Sequence, residues 1–349
     1  VRILTEQQVD DARRMRQMLF GHLLSSALCT VVRLDVPDLL ADGPKDVAEL
    51  AATADADVSS LRRLLRGLAM YGVFAEPAEG VFELTALGRT LCRDAPASAR
   101  PSALLVSGVV GAVWARLPQT VRRGEPAFRD VFGADFFEYL EKEPEVRAAF
   151  GDSQAQGLAL ELDEILSALD LGGARVVDVG GGDGAFLVEA LKRFPDSSGI
   201  VFDLPGTAAL AERRIAEADL AERCTVVAGD FFDAVPAGGD VYLLSHILHD
   251  WGDDDARAVL RRCAAAAPPH ARLVVVDLVL RDHGDSAEGY EYGGLLDMYM
   301  MSLFGGHGGR ERTGGEFVRL LESAGCVDVR VRRLPSGMAC VEAGFPKAG

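Results

Sequence analysis

Val176-Val177-Asp178-Val179-Gly180-Gly181-Gly182-Asp183-Gly184-Ala185-Phe186 is the stretch on which the reading of this 349-residue chain turns. An apolar, β-branched run gives way to glycines, and the glycines to the helical pattern GAFLVEALKRF. That order reads as a buried strand, a tight turn and a helix. Glycine at such a turn takes up left-handed dihedrals and lets a ligand come close to the backbone. The texture then repeats: GIVFDL as a strand, TAALAERRIAEADL as a helix, CTVVAGD and DVYLLSHIL as strands, DDDARAVLRRCAAAA as a helix, ARLVVVDLVL as a strand. Short apolar strands alternating with amphipathic helices predict an α/β, doubly wound, mostly parallel sheet. EFVRLLESAG, VDVRVRRL and MACVEAGF add one more helix and a closing pair of strands.

Upstream of Ala174 the chain reads helical. Val9, Met15, Met18, Leu19 and Leu23 recur at three- and four-residue intervals and continue through Leu24, Ala27 and Leu28. A short helix ending near Gly43, a second over Asp46–Thr53 and a third capped by Ser59 or Ser60 follow. Gly72-Val73-Phe74 and Gly80-Val81-Phe82-Glu83-Leu84 then read as a small hairpin, which completes a winged-helix pattern. We therefore expect a helical winged-helix-like domain over 1–100, a helical linker over 101–171 that contributes to a pocket, and a ligand-binding α/β domain over 172–349.

Composition narrows the partners. A formal charge of −17 opposes general nucleic-acid binding, which needs a clustered basic surface. Arg62, Arg63 and Arg66 do lie on the would-be recognition helix, but their surroundings are acidic and no basic wing follows. No apolar run is long enough to span a membrane and the first residues are polar, so the expectation is a soluble, cytoplasmic protein. The six cysteines are scattered without metal-ligand spacing, and no metal is expected.

The glycine turn alone is ambiguous, because Gly180, Gly182 and Ala185 also satisfy a dinucleotide fingerprint. Asp178 before the turn and Asp183 inside it would repel a pyrophosphate, and they suit a ligand with ammonium and sulfonium charges. The reading favours S-adenosylmethionine over NAD. Asp203, ending the second strand, is placed for ribose hydroxyls, Asp230 for an adenine amino group and Phe231 for the ring face. The fourth strand runs into Ser245-His246-Ile247-Leu248-His249-Asp250-Trp251. His249 is the candidate base for an acceptor hydroxyl, because a phenol near pKa 10 is about 0.1% ionised at neutral pH. Asp277 and Glu311 are candidates to orient it and raise its basicity. His307 is a rival base.

In this order, DVGGGDGAF, FDLPG, GDFFD, HDW and GGRERT resemble the caffeate/hydroxyindole type of small-molecule O-methyltransferases, including bacterial ones that tailor aromatic natural products. The resemblance covers nearly the whole chain. It implies a class I methyltransferase sheet behind a winged-helix dimerisation domain, and hence a homodimer. S-adenosylmethionine as donor, S-adenosylhomocysteine as product and an aromatic small-molecule acceptor are implied as well. It further implies donor contacts from Gly180, Asp203, Asp230, Phe231 and Ser245, with Arg147 on the methionine carboxylate. His249 falls on the family's catalytic histidine, flanked by Asp277 and Glu311. Plant members carry Lys at the position of Ser245 and Glu at that of Asp277. Trp114, Phe136, Asp297, Met298, Met301 and Phe304 fall where the family walls its acceptor. Two other readings compete: an NAD-dependent oxidoreductase, and a winged-helix regulator that senses a nucleotide.

Overall fold

The structure is a computed structural model that describes residues 4–285, 291–304 and 308–345. It divides into two compact units, Val1–Trp114 with Leu140–Gly157, and Ala115–Tyr139 with Leu158–Gly349. Residues 101–171, expected as one linker, are thus shared between the two.

The first unit opens with the helix Glu6–Arg33. Thr5 caps it, accepting a hydrogen bond from the Gln8 backbone N–H while the Gln8 side chain accepts from that of Thr5. Only its last turns are buried, at Cys29, Val31 and Val32; Met15, Met18, Leu19, Phe20 and Leu23 are all exposed. The helices Val47–Thr53 and Val58–Ala69 follow. The second is capped by Asp57, whose carboxylate accepts from the Ser60 N–H, and not by Ser59 or Ser60 as expected. An aspartate one turn ahead of the first buried leucine reaches that orphan donor better than a serine already inside the turn. Strands β1 (Lys45–Asp46), β2 (Phe74–Ala78) and β3 (Val81–Leu84) form an antiparallel sheet in the order β1-β3-β2. Leu50, Leu61, Leu65, Leu68, Phe74 and Phe82 close the core beneath it. Arg66 pairs with Glu76 at 2.8 Å and Arg62 with Glu79 at 3.1 Å, so the hairpin neutralises two of the three helix arginines.

The second unit carries strands β4 (Arg175–Val179), β5 (Ser198–Asp203), β6 (Cys224–Ala228), β7 (Val241–Ser245), β8 (Arg272–Leu280), β9 (Arg312–Thr313), β10 (Val327–Arg333) and β11 (Met338–Gly344). Their order is β10-β11-β8-β7-β4-β5-β6, with β9 beside the end of β8. β4 to β8 are mutually parallel, and β11 joins β8 antiparallel. This is the expected doubly wound, mostly parallel sheet. Adjacent residues point to opposite faces and both faces are covered: Val177, Tyr242 and Val275 enter one core, Val176, Leu243 and Val274 the other. The fourth strand stops earlier than expected, at Ser245, because His246 takes a left-handed conformation (φ +57°) and turns the chain. Among the described residues no single helix is long and apolar enough to cross a membrane.

Candidate active site

The C-terminal ends of β4, β5, β6 and β7 converge on the glycine turn. Gly180, Gly182 and Gly184 have φ of +74°, +59° and +78°, which side chains other than glycine rarely adopt. A Cβ on Gly180 would lie 2.5 Å from Cδ1 of Ile247, and one on Gly181 would lie 2.7 Å from the Asp178 carboxyl. The N–H groups of Gly180 and Gly181 both donate to the Phe202 carbonyl, at 2.8 and 3.2 Å. Asp203 takes the next one: its Oδ2 accepts from the Gly182 N–H at 2.9 Å and its Oδ1 from the Leu204 N–H at 2.7 Å. The turn is thereby tied to the end of β5.

The two acids read as cation-facing are placed otherwise. Asp178 is buried, and burial, helped by the nearby Asp203, raises its pKa to about 7. Its Oδ2 has no hydrogen-bond partner among the described residues. Asp183 accepts from the Ala185 N–H at 3.1 Å and is ion-paired with Arg214, so its charge is already matched. Asp183 stands just before Gly184, the N-cap of the helix Ala185–Arg193, where a carboxylate is stabilised by the helix's first donors.

Beyond β6, the exposed Asp230 accepts from the Phe232 N–H at 2.8 Å. Phe231 reaches toward Gly180 and meets Trp251 edge-on, with centroids 6.0 Å apart. The Ser245 hydroxyl lies 3.1 Å from Nδ1 of His246.

After β7 the chain makes a single short turn, Leu248–Asp250, that carries His249. The residue is 8% exposed. Its Nδ1 lies 3.2 Å from Oε1 of Glu311 and 3.7 Å from Oδ1 of Asp277, while Nε2 on the far edge is 3.7 Å from Oδ1 of Asp250. Burial alone would lower its pKa. Asp277, Glu311 and Asp250 outweigh burial and raise it to about 10. Asp277 sits on β8, fully buried, and burial pushes its carboxyl upward. Three carboxylates around one buried imidazole make a site that holds a proton tightly.

Residues 114–327 match the model of the O-methyltransferase domain, and residues 16–94 that of the O-methyltransferase dimerisation domain. The chain belongs to the O-methyltransferase family. The enzyme is 51% identical to O-methyltransferase SfmM3 of Streptomyces lavendulae over 94% of this chain and 99% of that one. The crystal structure of LaPhzM superposes with a TM-score of 0.88 at 38% identity, covering 96% of this chain and 99% of its own. NcsB1, an O-methyltransferase from neocarzinostatin biosynthesis solved with S-adenosylmethionine and 2-hydroxy-5-methyl naphthoic acid, does so at 0.77 and 35%, covering 93% and 96%.

Other expected residues of the methyltransferase are distributed more widely. Asp297, on the helix Glu291–Leu303, accepts from the Glu311 N–H at 3.0 Å and so steadies the segment that carries Glu311. Met298 on that helix is exposed and Met301 half-buried. Phe136, expected as a pocket wall, is 2% exposed and packs edge-on against Phe128 and Phe304 at 5.3 and 5.1 Å. Trp114 and Arg147 belong to the first unit, where Trp114 is half-buried and Arg147 exposed. His307 lies outside the described residues. Sequence reasoning missed Arg312, which is fully buried and bonded to the carbonyls of the His249 turn. An arginine amid GGRERT carries no mark that separates it from a surface charge.

Proposed function

We propose that this enzyme methylates a phenolic hydroxyl of an aromatic small molecule with S-adenosylmethionine, using His249 as the proton acceptor. The carrying observation is the buried His249 bracketed by Glu311 and Asp277 at the strand ends beside the glycine turn. That turn fits the donor: three left-handed glycines leave its backbone bare, and the Asp203 carboxylate stands at the end of the neighbouring strand. Gly180, Asp203, Asp230, Phe231 and Ser245 are the residues that would hold it. Bound there, the donor supplies an electrophilic methyl on a sulfonium.

What the chain must then provide is a nucleophile. The accepting form is the neutral imidazole, and with its proton affinity raised to about 10 it is matched to a phenol of similar pKa, so that once the ring has released its own proton to solvent the phenol's proton passes to it at little cost. Glu311 and Asp277 stabilise the imidazolium that results. Met298 and Met301 are the proposed acceptor-side residues, since thioethers adapt to flat apolar ligands. The aromatic acceptor of NcsB1 supports this class of substrate. The exposed apolar face of the first helix, within the matched dimerisation domain, supports a homodimer.

The test is calorimetry with S-adenosylhomocysteine and with NADH, followed by turnover on a panel of phenols read by mass spectrometry. Binding of the first, no binding of the second and methyl gain on a phenol are expected. Tight NADH binding without S-adenosylhomocysteine binding would overturn the reading.

A further inference from the structure

The turn that carries His249 is only three residues long, so its carbonyls cannot be satisfied by a helix of their own. Arg312 bonds the first of them and the carbonyl just past the turn. Its guanidinium is 0% exposed and donates through Nη1 to the Leu248 carbonyl at 2.6 Å and through Nη2 to the Trp251 carbonyl at 2.7 Å. Nη2 and Nε also donate to Oδ1 of Asp253, at 2.9 and 3.2 Å. The carbonyls it grips stand one residue before and two residues after His249. The preceding residue, Glu311, holds the imidazole itself, and the Arg310 N–H donates to the His249 carbonyl at 2.8 Å. Three successive residues thus fix one turn by side chain, ring and backbone. A buried cation is costly unless fully paired, and only the planar fork of arginine reaches both carbonyls and the carboxylate together.

Resting on His249 as the proton acceptor, we propose that Arg312 is a positioning residue: it locks the Leu248–Asp250 turn so that Nδ1 stays on Glu311 and Nε2, beside Asp250, stays the edge that meets the acceptor. The charged groups facing the ring are Asp277 from β8, Glu311 beside β9, Asp250 from its own turn and His246 from the end of β7, with Arg312 and Asp253 behind the turn. Arg312 also favours the ionised form of Asp277.

Arg312→Lys keeps the charge and loses the fork, so it isolates geometry. We expect about a tenfold or greater fall in kcat, with S-adenosylhomocysteine affinity held within about twofold. In a His249→Ala background the same change should cost less than about twofold, because a residue acting through His249 has nothing left to act on. Equal losses in both backgrounds, or a wild-type kcat for a folded Arg312→Lys, overturn the proposal. Carbon-13 NMR of the histidine rings in the full chain gives a readout independent of turnover: the His249 titration should move in Arg312→Lys, and an unmoved titration also overturns it. If His249→Ala alone retains full kcat, the base reading has failed, and the NMR result still decides whether Arg312 positions the ring. Should Arg312→Lys fail to fold, Asp253→Asn, which takes the carboxylate from the guanidinium, carries the same kinetic and NMR test.

Discussion

Nδ1 of His249 lies 3.2 Å from Oε1 of Glu311, a residue 62 positions later in the chain. A carboxylate beside Nδ1 favours the tautomer with its proton there and leaves Nε2, 3.7 Å from Oδ1 of Asp250, as the other titrating edge. A ring held this way accepts its next proton only at Nε2. His249→Ala should therefore reduce kcat by about two to four decades while leaving donor affinity unchanged. Single-turnover rates beside calorimetry with S-adenosylhomocysteine check this, and an unchanged rate removes the base role.

The same cluster sets a pH dependence. His249 is raised to about 10, and Asp277 is among the groups that raise it. Removing that charge with Asp277→Asn lowers the imidazole's proton affinity, so the rising limb of the kcat/KM profile should move to lower pH. Wild-type kcat/KM should still be climbing at about pH 9. A limb that stays put in the variant would show that Asp277 does not act on the histidine.

Gly180 combines a left-handed backbone with a Cβ position 2.5 Å from Ile247. Gly180→Ala must strain the turn or displace Ile247, at a cost of about 1–2 kcal/mol in stability. Donor affinity should fall by about tenfold or more, because the backbone can no longer be approached closely. Calorimetry and thermal melts read the two effects separately.

Asp178 makes a prediction about stability alone. Its pKa is raised to about 7 by burial, so the folded protein binds this proton more tightly than the unfolded chain does. Stability from this group is complete below the ordinary carboxylate pKa and is lost as pH rises through about 7. Asp178→Asn cannot ionise, so its melting temperature relative to wild type should rise between about pH 5 and pH 8. A constant difference across that range contradicts the burial argument.

The dimer prediction concerns the first helix, where Leu19 and Leu23 are 67% and 60% exposed one turn apart. Leu19→Glu with Leu23→Glu should convert a dimer to a monomer at micromolar concentration, measured by light scattering. A wild-type monomer would count against the assembly.

Much of this was legible because period and glycine placement are local signals. The strand–turn–helix around Gly180 needs only the residues it contains, and the places of Asp203 at the end of β5 and Asp230 just past β6 follow from the strand pattern. His249 stood out by its place after the fourth strand. What escaped depended on partners far along the chain. Asp183 looks like a ligand-facing acid until Arg214 is seen beside it. The edge-on packing of Phe136 against Phe304 likewise joins residues far apart in the chain. Arg312 looks like surface charge until it is found beneath Leu248 and Trp251. The left-handed His246 breaks the strand by a backbone choice that its residue type does not announce.

β8 carries Asp277 between two neighbours of very different arrival time: β7, already made when it emerges, and β11, translated dozens of residues later. During synthesis its outer rim therefore presents unsatisfied amides and carbonyls on a flat valine-rich ribbon, open to pairing with any other nascent chain. Docking of β11, which sets Ala339 opposite Asp277, closes that window. Covering of Asp277 on that side thus waits on a strand from the far end of the chain, and a chain clipped before Met338 would carry a complete glycine turn with this acid left uncovered beside His249.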